Sequence, residues 1–247
     1  MKPNVLVSLL LVVVIFSSCV KEWDYYWDHG NGPAPGENAS TFAEISSTAI
    51  GGEGAAEITA YDPGTQRLFI VTNTGTTQID ILDLSDPSAP LSIGHIDISP
   101  FGGGVNSVSV SEGKLAAAVE GYVKTDPGKV VVFKTSDYSV IKQIPVGALP
   151  DMITFSHDGK YILTANEGEP NTDYSIDPAG TVSIIEIKKN YAVSTLDFSG
   201  FAGQQTALKA KGLRVFGPRR QFCAGYGTGI PDHFARLKNR MGHSPGK

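Results

Sequence analysis

The stretch LPDMITFSHDGKYILTANEGEPNTDYSIDPAGTVSIIEI, residues 149–187, decides how this 247-residue chain is to be read. An alternating run, MITFS, meets a tight HDGK turn and a second apolar run, KYILTAN. An acidic loop, EGEPNTDYSIDPAG, follows, and then a third alternating run, TVSIIEI. Asp158-Gly159 between two alternating segments marks a β-hairpin, because a tight turn needs a positive φ that glycine adopts without strain.

Used as a ruler, the stretch finds two earlier copies of itself. First strands read EITAYDP (57–63), NSVSVSE (106–112) and DMITFSH (151–157). Second strands read QRLFIVTN (66–73), KLAAAVEG (114–121) and KYILTANE (160–167). Third strands are TQIDILDL (77–84), KVVVFKTS (129–136) and TVSIIEIK (181–188). Fourth runs, LSIGHIDI (91–98), SVIKQIPV (139–146) and YAVSTLDF (191–198), close each unit. Ile58, Val108 and Ile153 therefore recur at intervals of 50 and 45 residues. A four-stranded unit at that spacing is the signature of a β-propeller blade. A lone blade cannot cover both of its faces, so blades stack on one another. RLFIV and KYILTA are too continuously apolar for a surface hairpin and belong between blades; a two-sheet sandwich is the alternative packing. The expected fold is all-β: a partial β-propeller of three four-stranded, WD40-like blades, with an N-terminal signal helix and an irregular C-terminal tail.

Ahead of the repeats the chain carries an address. Lys2 precedes the apolar run VLVSLLLVVVIF (5–16), which has the length of a secretory h-region and is short for a membrane span. Ser17-Ser18-Cys19 resembles a bacterial lipobox, in which the cysteine is lipidated after cleavage in front of it; Phe16 departs from the usual leucine. An ordinary signal peptide with an incidental cysteine is the alternative. Lipidation of Cys19 anchors the chain to the membrane through its N-terminus, since each buried CH₂ contributes about 0.8 kcal/mol. Lys21-Glu22 and Asp24 resemble an acidic export signal behind the lipobox, and Trp23, Tyr25, Tyr26 and Trp27 suit either a membrane interface or packing on the domain. The expected divisions are a signal peptide (1–18), a lipid-anchored tether (19–41), the partial propeller (42–218) and the tail (219–247).

The formal charge of −5 argues against a nucleic-acid partner, but it is unevenly spread. Residues 219–247 hold six Lys and Arg against Asp232 alone, a balance of +5, so the first 218 residues carry −10. Two cysteines, Cys19 and Cys223, make neither a disulfide framework nor a metal site of their own.

The motifs LPDMITFSHDGKYILTANEGEPN, with VNSVSVSEGKLAAAVEG before and LKAKGLRVFGP after, resemble the choice-of-anchor I domain. This is a family of secreted or surface-anchored YVTN- and lactonase-like propellers related to the mesenchyme-specific cell-surface glycoprotein. The resemblance spans residues 42–218, and ANEGEPN and KG-R-FGP are its most specific parts. It implies a cell-envelope protein on the outer membrane or cell surface, with a surface protein or carbohydrate as ligand. Some members are described as alkaline-phosphatase-like, and no catalytic residue carries over.

After Pro218 the resemblance stops. Arg219 onward, RRQFCAGYGTGIPDHFARLKNRMGHSPGK, has no alternation. Codons compatible with this segment, read in a shifted frame, spell GASFAQDMEPEYRTISPDSKTAWVTLQE, as the family leads one to expect. Within it, TISPDSKTAWVTLQE aligns with ITFSHDGKYILTANE at 153–167. The expectation is a frameshift near Arg219 that truncates the propeller and leaves the outer face of the last blade apolar and unpaired; a divergent basic tail is the alternative.

Where chemistry sits is less determined. The acidic loop gathers Glu167, Glu169, Asp173 and Asp177, which suit a hard cation such as Ca²⁺ with its six to eight oxygen ligands. The spacing fits no fixed calcium-loop motif, and a solvated loop is the alternative. No nucleophile elbow, H-E-x-x-H or CxxC pair is present. His157 reads as a turn residue, His95 as an outer-strand residue, and Gly102-Gly103-Gly104 as a blade-to-blade turn. Three function classes follow: a lipid-anchored binding module, a fragment of a metal-dependent phosphoesterase-like or lactonase-like propeller enzyme, or a purely structural partner in a surface complex.

Overall fold

The computed structural model describes residues 38–51, 56 and 58–214. The signal helix, Cys19, the tether up to residue 37 and the tail from Arg219 lie outside the described residues. Two units divide at Ile45/Ser46. In the first, the described part is one 3-10 turn, Ala39–Thr41; the second holds all the strands.

Among the described residues, twelve strands form three antiparallel sheets of four. Sheet 1 is β1 (Thr59–Asp62), β2 (Arg67–Thr72), β3 (Gln78–Asp83) and β4 (Leu91–Asp97). Sheet 2 is β5 (Gly104–Ser111), β6 (Lys114–Glu120), β7 (Pro127–Lys134) and β8 (Val140–Ala148). Sheet 3 is β9 (Pro150–Phe155), β10 (Tyr161–Asn166), β11 (Thr181–Glu186) and β12 (Ala192–Leu196). Each is a simple meander of neighbouring strands, as expected for propeller blades, and the sheets do not close into a ring.

The burial pattern explains the order. Second strands are the most apolar and lie between two partners, so β6 reads LAAAV with every one of these side chains fully buried. Fourth strands lie at the outside, and β12 is exposed along its whole length. First strands line up beside one another, β1 with β5 and β5 with β9. Ser107 and Ser109 hydroxyls accept from the Ile153 and Phe155 amides at 3.4 Å, tying β9 to β5.

Two clusters fill the spaces between sheets. Phe69, Val71, Ile79 and Ile81 of sheet 1 meet Val108, Leu115, Val131 and Phe133 of sheet 2. Ala116, Ala118, Val130 and Ile144 of sheet 2 meet Ile153, Phe155, Ile162 and Ile185 of sheet 3. Burial of each large side chain contributes about 1.5–3 kcal/mol relative to exposure. The far face of sheet 3 carries a smaller cluster, Leu163, Ala165 and Val182. These side chains are at most 5% exposed, whereas Met152 and Leu196, which stand opposite Ala165 and Val182 on the same face, are each 43% exposed.

Polar latches join the sheets. Asn73 at the end of sheet 1 donates to the Val105 carbonyl at 2.8 Å and accepts from the Val105 amide at 3.3 Å. Asn106 of sheet 2 donates to the Pro150 carbonyl at 3.0 Å. Arg67 reaches across to the Thr135 and Ser136 carbonyls, both at 3.0 Å, with its guanidinium 5.2 Å from the centre of the Tyr138 ring. Tyr138 and Tyr191 occupy equivalent β7–β8 and β11–β12 turns at φ 62° and pack back onto the first and second clusters.

Register departs from the sequence alignment in two places, the third strand of sheet 1, where Ile81 matches Val132 and Ile184, and the second strand of sheet 2. Leu68, Leu115 and Ile162 are the equivalent second-strand residues, facing Tyr61, Val110 and Phe155. The alignment had set Lys114 against Lys160, which puts sheet 2 one residue out. The cause is the hairpin: sheet 2 turns on Glu112-Gly113 alone, both at positive φ, whereas sheet 3 uses the longer His157–Lys160 turn with Gly159 at φ 66°. Glu120-Gly121 therefore corresponds to Glu167-Gly168. A short helix, α1 (Gln205–Ala210), follows the third sheet and was not expected. Its QTALKA composition is rich in good helix formers.

Candidate functional site

The loops after the second strands all emerge at one end of the sheets, and in sheet 3 this loop runs from residue 167 to 180 without regular structure. Its root is fixed. The Glu167 amide donates to the Leu149 carbonyl at 2.8 Å and the Gly168 amide to the Ala148 carbonyl at 3.2 Å. Leu149 is buried and sits at φ 49°, an unfavourable region for a non-glycine residue. Gly168 cannot carry a side chain, because a Cβ there would lie 2.6 Å from the Pro178 carbonyl oxygen where the loop returns.

Glu167 and Glu169 come together with a third carboxylate, Asp151, at the start of β9. Burial pushes the Glu167 carboxyl above its usual range, repulsion from Asp151 and then Glu169 pushes it further, and Lys124 opposes them. Asp151 is also raised, by partial burial and then by Glu169. Its surface is open to water, which limits the desolvation. The result is three mutually repelling carboxylates with one lysine among the charges that act on them.

Asp173 does different work. Its carboxylate accepts from the Ser175 amide at 3.1 Å and hydroxyl at 2.7 Å, which lowers its pKa. The same Asp-x-Ser turn is built at Asp83, Asp86, Asp97, Asp137 and Asp197. Asp173 thus belongs to a recurrent turn that organises its own loop, helped by Asn171, whose side chain bonds Ser175 and the Ile176 amide. Asp177 is half-buried further along. Among the described residues, no three His, Cys, Asp or Glu side chains are arranged to hold a metal ion.

The same end of the sheets exposes large apolar side chains. Tyr122 is 70% and Val123 57% exposed in the β6–β7 loop; Tyr174 and Ile176 are exposed in the β10–β11 loop. The Tyr122 hydroxyl donates to the Ser99 carbonyl at 3.0 Å, which holds the ring in place. His157 is exposed in its hairpin and His95 on β4, as read from the sequence; Gly102 and Gly103 lie in the β4–β5 connection, whereas Gly104, expected in the same turn, opens β5. Gly102 is required there because a Cβ would strike the Glu120 carbonyl.

The chain belongs to the choice-of-anchor I domain family, whose model matches residues 57–225. No curated protein matches the sequence. Among solved structures, hydrazine synthase of Kuenenia stuttgartiensis is similar at 16% identity and a TM-score of 0.43, over 56% of this chain and 40% of that one. A luciferin-regenerating enzyme is similar at 13% identity and a TM-score of 0.38, over 52% of this chain and 44% of that one. The chain thus spans less than half the length of either.

Proposed function

We propose that this protein is a cell-envelope lipoprotein whose propeller blades serve as a binding module for a surface protein or carbohydrate. The observation that carries the binding role is the pairing of exposed Tyr122, Val123, Tyr174 and Ile176 on adjacent loops at one end of the sheets. Loops on a rigid scaffold are where recognition concentrates, and aromatic rings give large contact area at low entropic cost. Family membership supports a secreted or surface-anchored setting. The lipobox-like Ser17-Ser18-Cys19 supports anchoring through lipid. Cys19→Ala shifts the protein from the membrane to the soluble fraction; unchanged fractionation refutes the anchor. Tyr122→Ala together with Tyr174→Ala abolishes retention of the protein on its surface ligand, tested on envelope glycans and intact cells, while leaving its circular dichroism unaltered.

A second reading, a fragment of a metal-dependent phosphoesterase-like or lactonase-like enzyme, draws support from the mutual repulsion of Asp151, Glu167 and Glu169, which a divalent cation such as Ca²⁺ relieves. Calorimetric titration with Ca²⁺ and assays on phosphoesters and lactones separate the two readings: no heat and no turnover exclude the second. The segment from Arg219 onward we read as out-of-frame, with the parent propeller continuing in the alternative frame. Resequencing decides it, and an intact frame with no blade-like coding sequence downstream refutes it.

A further inference from the structure

On the face of sheet 3 turned toward sheet 2, β10 presents Ile162, Thr164 and Asn166, all fully buried. Ser183, also fully buried, and Thr181 stand opposite Thr164 and Asn166 on β11. Equivalent positions of sheet 2 are Leu115, Ala117 and Val119 on β6, with Val131 opposite Ala117 on β7, and every one is apolar. At these positions the first interface is apolar, and the second turns polar toward the loop end.

The polar side is incompletely satisfied. The Asn166 amide nitrogen donates to the Thr181 hydroxyl at 3.0 Å and the Ser183 hydroxyl at 2.9 Å. The Asn166 carbonyl oxygen and the Thr164 hydroxyl have no hydrogen-bond partner among the described residues. Leaving a buried polar group unpaired forfeits its hydration without return, and two such groups on one strand face cost more than the apolar set of sheet 2. The two are complementary: one is an acceptor, and the other brings a proton and lone pairs. They lie two residues apart on the same strand face. On the sheet 2 side the wall is Gly147, where a Cβ would lie 2.8 Å from the Asn166 Cβ and 2.5 Å from the Thr181 oxygen.

We propose that the seam between sheets 2 and 3 is a site for an ordered internal water, held by the Thr164 hydroxyl and the Asn166 side-chain carbonyl, with Ser183 within the same polar group. Such a water donates to Asn166 and exchanges a hydrogen bond with Thr164, so it satisfies both groups at once. It also fixes the side chain of the residue immediately before Glu167, and so the root of the candidate binding loop.

A crystal structure of the unmodified protein, at a resolution that shows ordered solvent, is expected to place a water about 2.7–3.2 Å from both atoms. A dry seam overturns the proposal. Thr164→Val gives the second arm. It preserves shape and removes one partner of the water, leaving Asn166 unpaired, and is expected to lower the folding equilibrium constant about fivefold or more. Thr164→Ser, which keeps the hydroxyl, is expected to retain the water density. If the seam is dry, Thr164→Val deletes an unpaired hydroxyl and raises the folding constant instead, which also overturns the proposal.

Discussion

Phe133 tests whether sheets 1 and 2 form one folding unit. It is 1% exposed, lies in the cluster that sheet 1 shares with sheet 2, and meets Phe101 edge to face at 5.7 Å between ring centres. Phe133→Ala removes most of a buried ring from a site walled on both sides, where collapse is restricted. The expected cost is about 3–5 kcal/mol, a third or more of the stability of an ordinary domain. Phe133→Leu keeps most of the volume and loses chiefly the ring–ring term, about 0.5–1.5 kcal/mol. Urea denaturation followed by tyrosine fluorescence measures both, and a single transition that moves as a whole is expected. Phe133→Ala costing no more than a change at exposed Leu91, within about 0.5 kcal/mol, refutes face-to-face packing of the two sheets.

Gly128→Ala places a methyl against the Pro150 ring and 2.6 Å from the Val119 carbonyl, both rigid, and is expected to cost about 1–3 kcal/mol by thermal denaturation. Gly200→Ala, with nothing within 4 Å, is expected to be neutral within about 0.5 kcal/mol. Glu167 has a raised folded-state pKa, so its charged form destabilises the fold above that pKa, and the penalty fades as pH falls to the ordinary carboxylate range. Glu167→Gln therefore raises the Tm at pH 7 and leaves it unchanged near pH 4; an equal effect at both pH values refutes this. Arg67→Lys keeps the charge but cannot bond both carbonyls and stack on Tyr138 at once, and is expected to cost about 1 kcal/mol in the same urea assay.

The repeat was legible because burial imposes alternation on each strand, and every strand of the three blades was found within a few residues of its reading. Register in sheet 2 was not legible from the lysines at 114 and 160, because a turn can lose residues without disturbing the strands. The pair Glu120-Gly121 and Glu167-Gly168 held the correct alignment. In the candidate site, Glu167 and Glu169 were found by composition, but Asp151 was missed. It joins them only because β9 pairs with β10, placing Pro150 opposite Asn166. Asp173 is held by its own turn, as an aspartate two residues before a serine accepts from that serine's amide and hydroxyl. The helix at Gln205–Ala210 is six residues long and buries none of them, too short to leave a periodic apolar signal.

The backward-facing tyrosines have a consequence for synthesis. Tyr138 belongs to sheet 2 but covers Phe69 of sheet 1 at 6.2 Å, and Tyr191 of sheet 3 packs on the cluster shared with sheet 2. Sheets 1 and 2 are thus each finished by a residue that the next sheet carries. In a chain that emerges N-terminus first, apolar surface does not accumulate with chain length: it is confined to the youngest blade, and each newly emerged turn seals the one before it. A nascent chain built this way is vulnerable to aggregation in one moving window about one repeat wide.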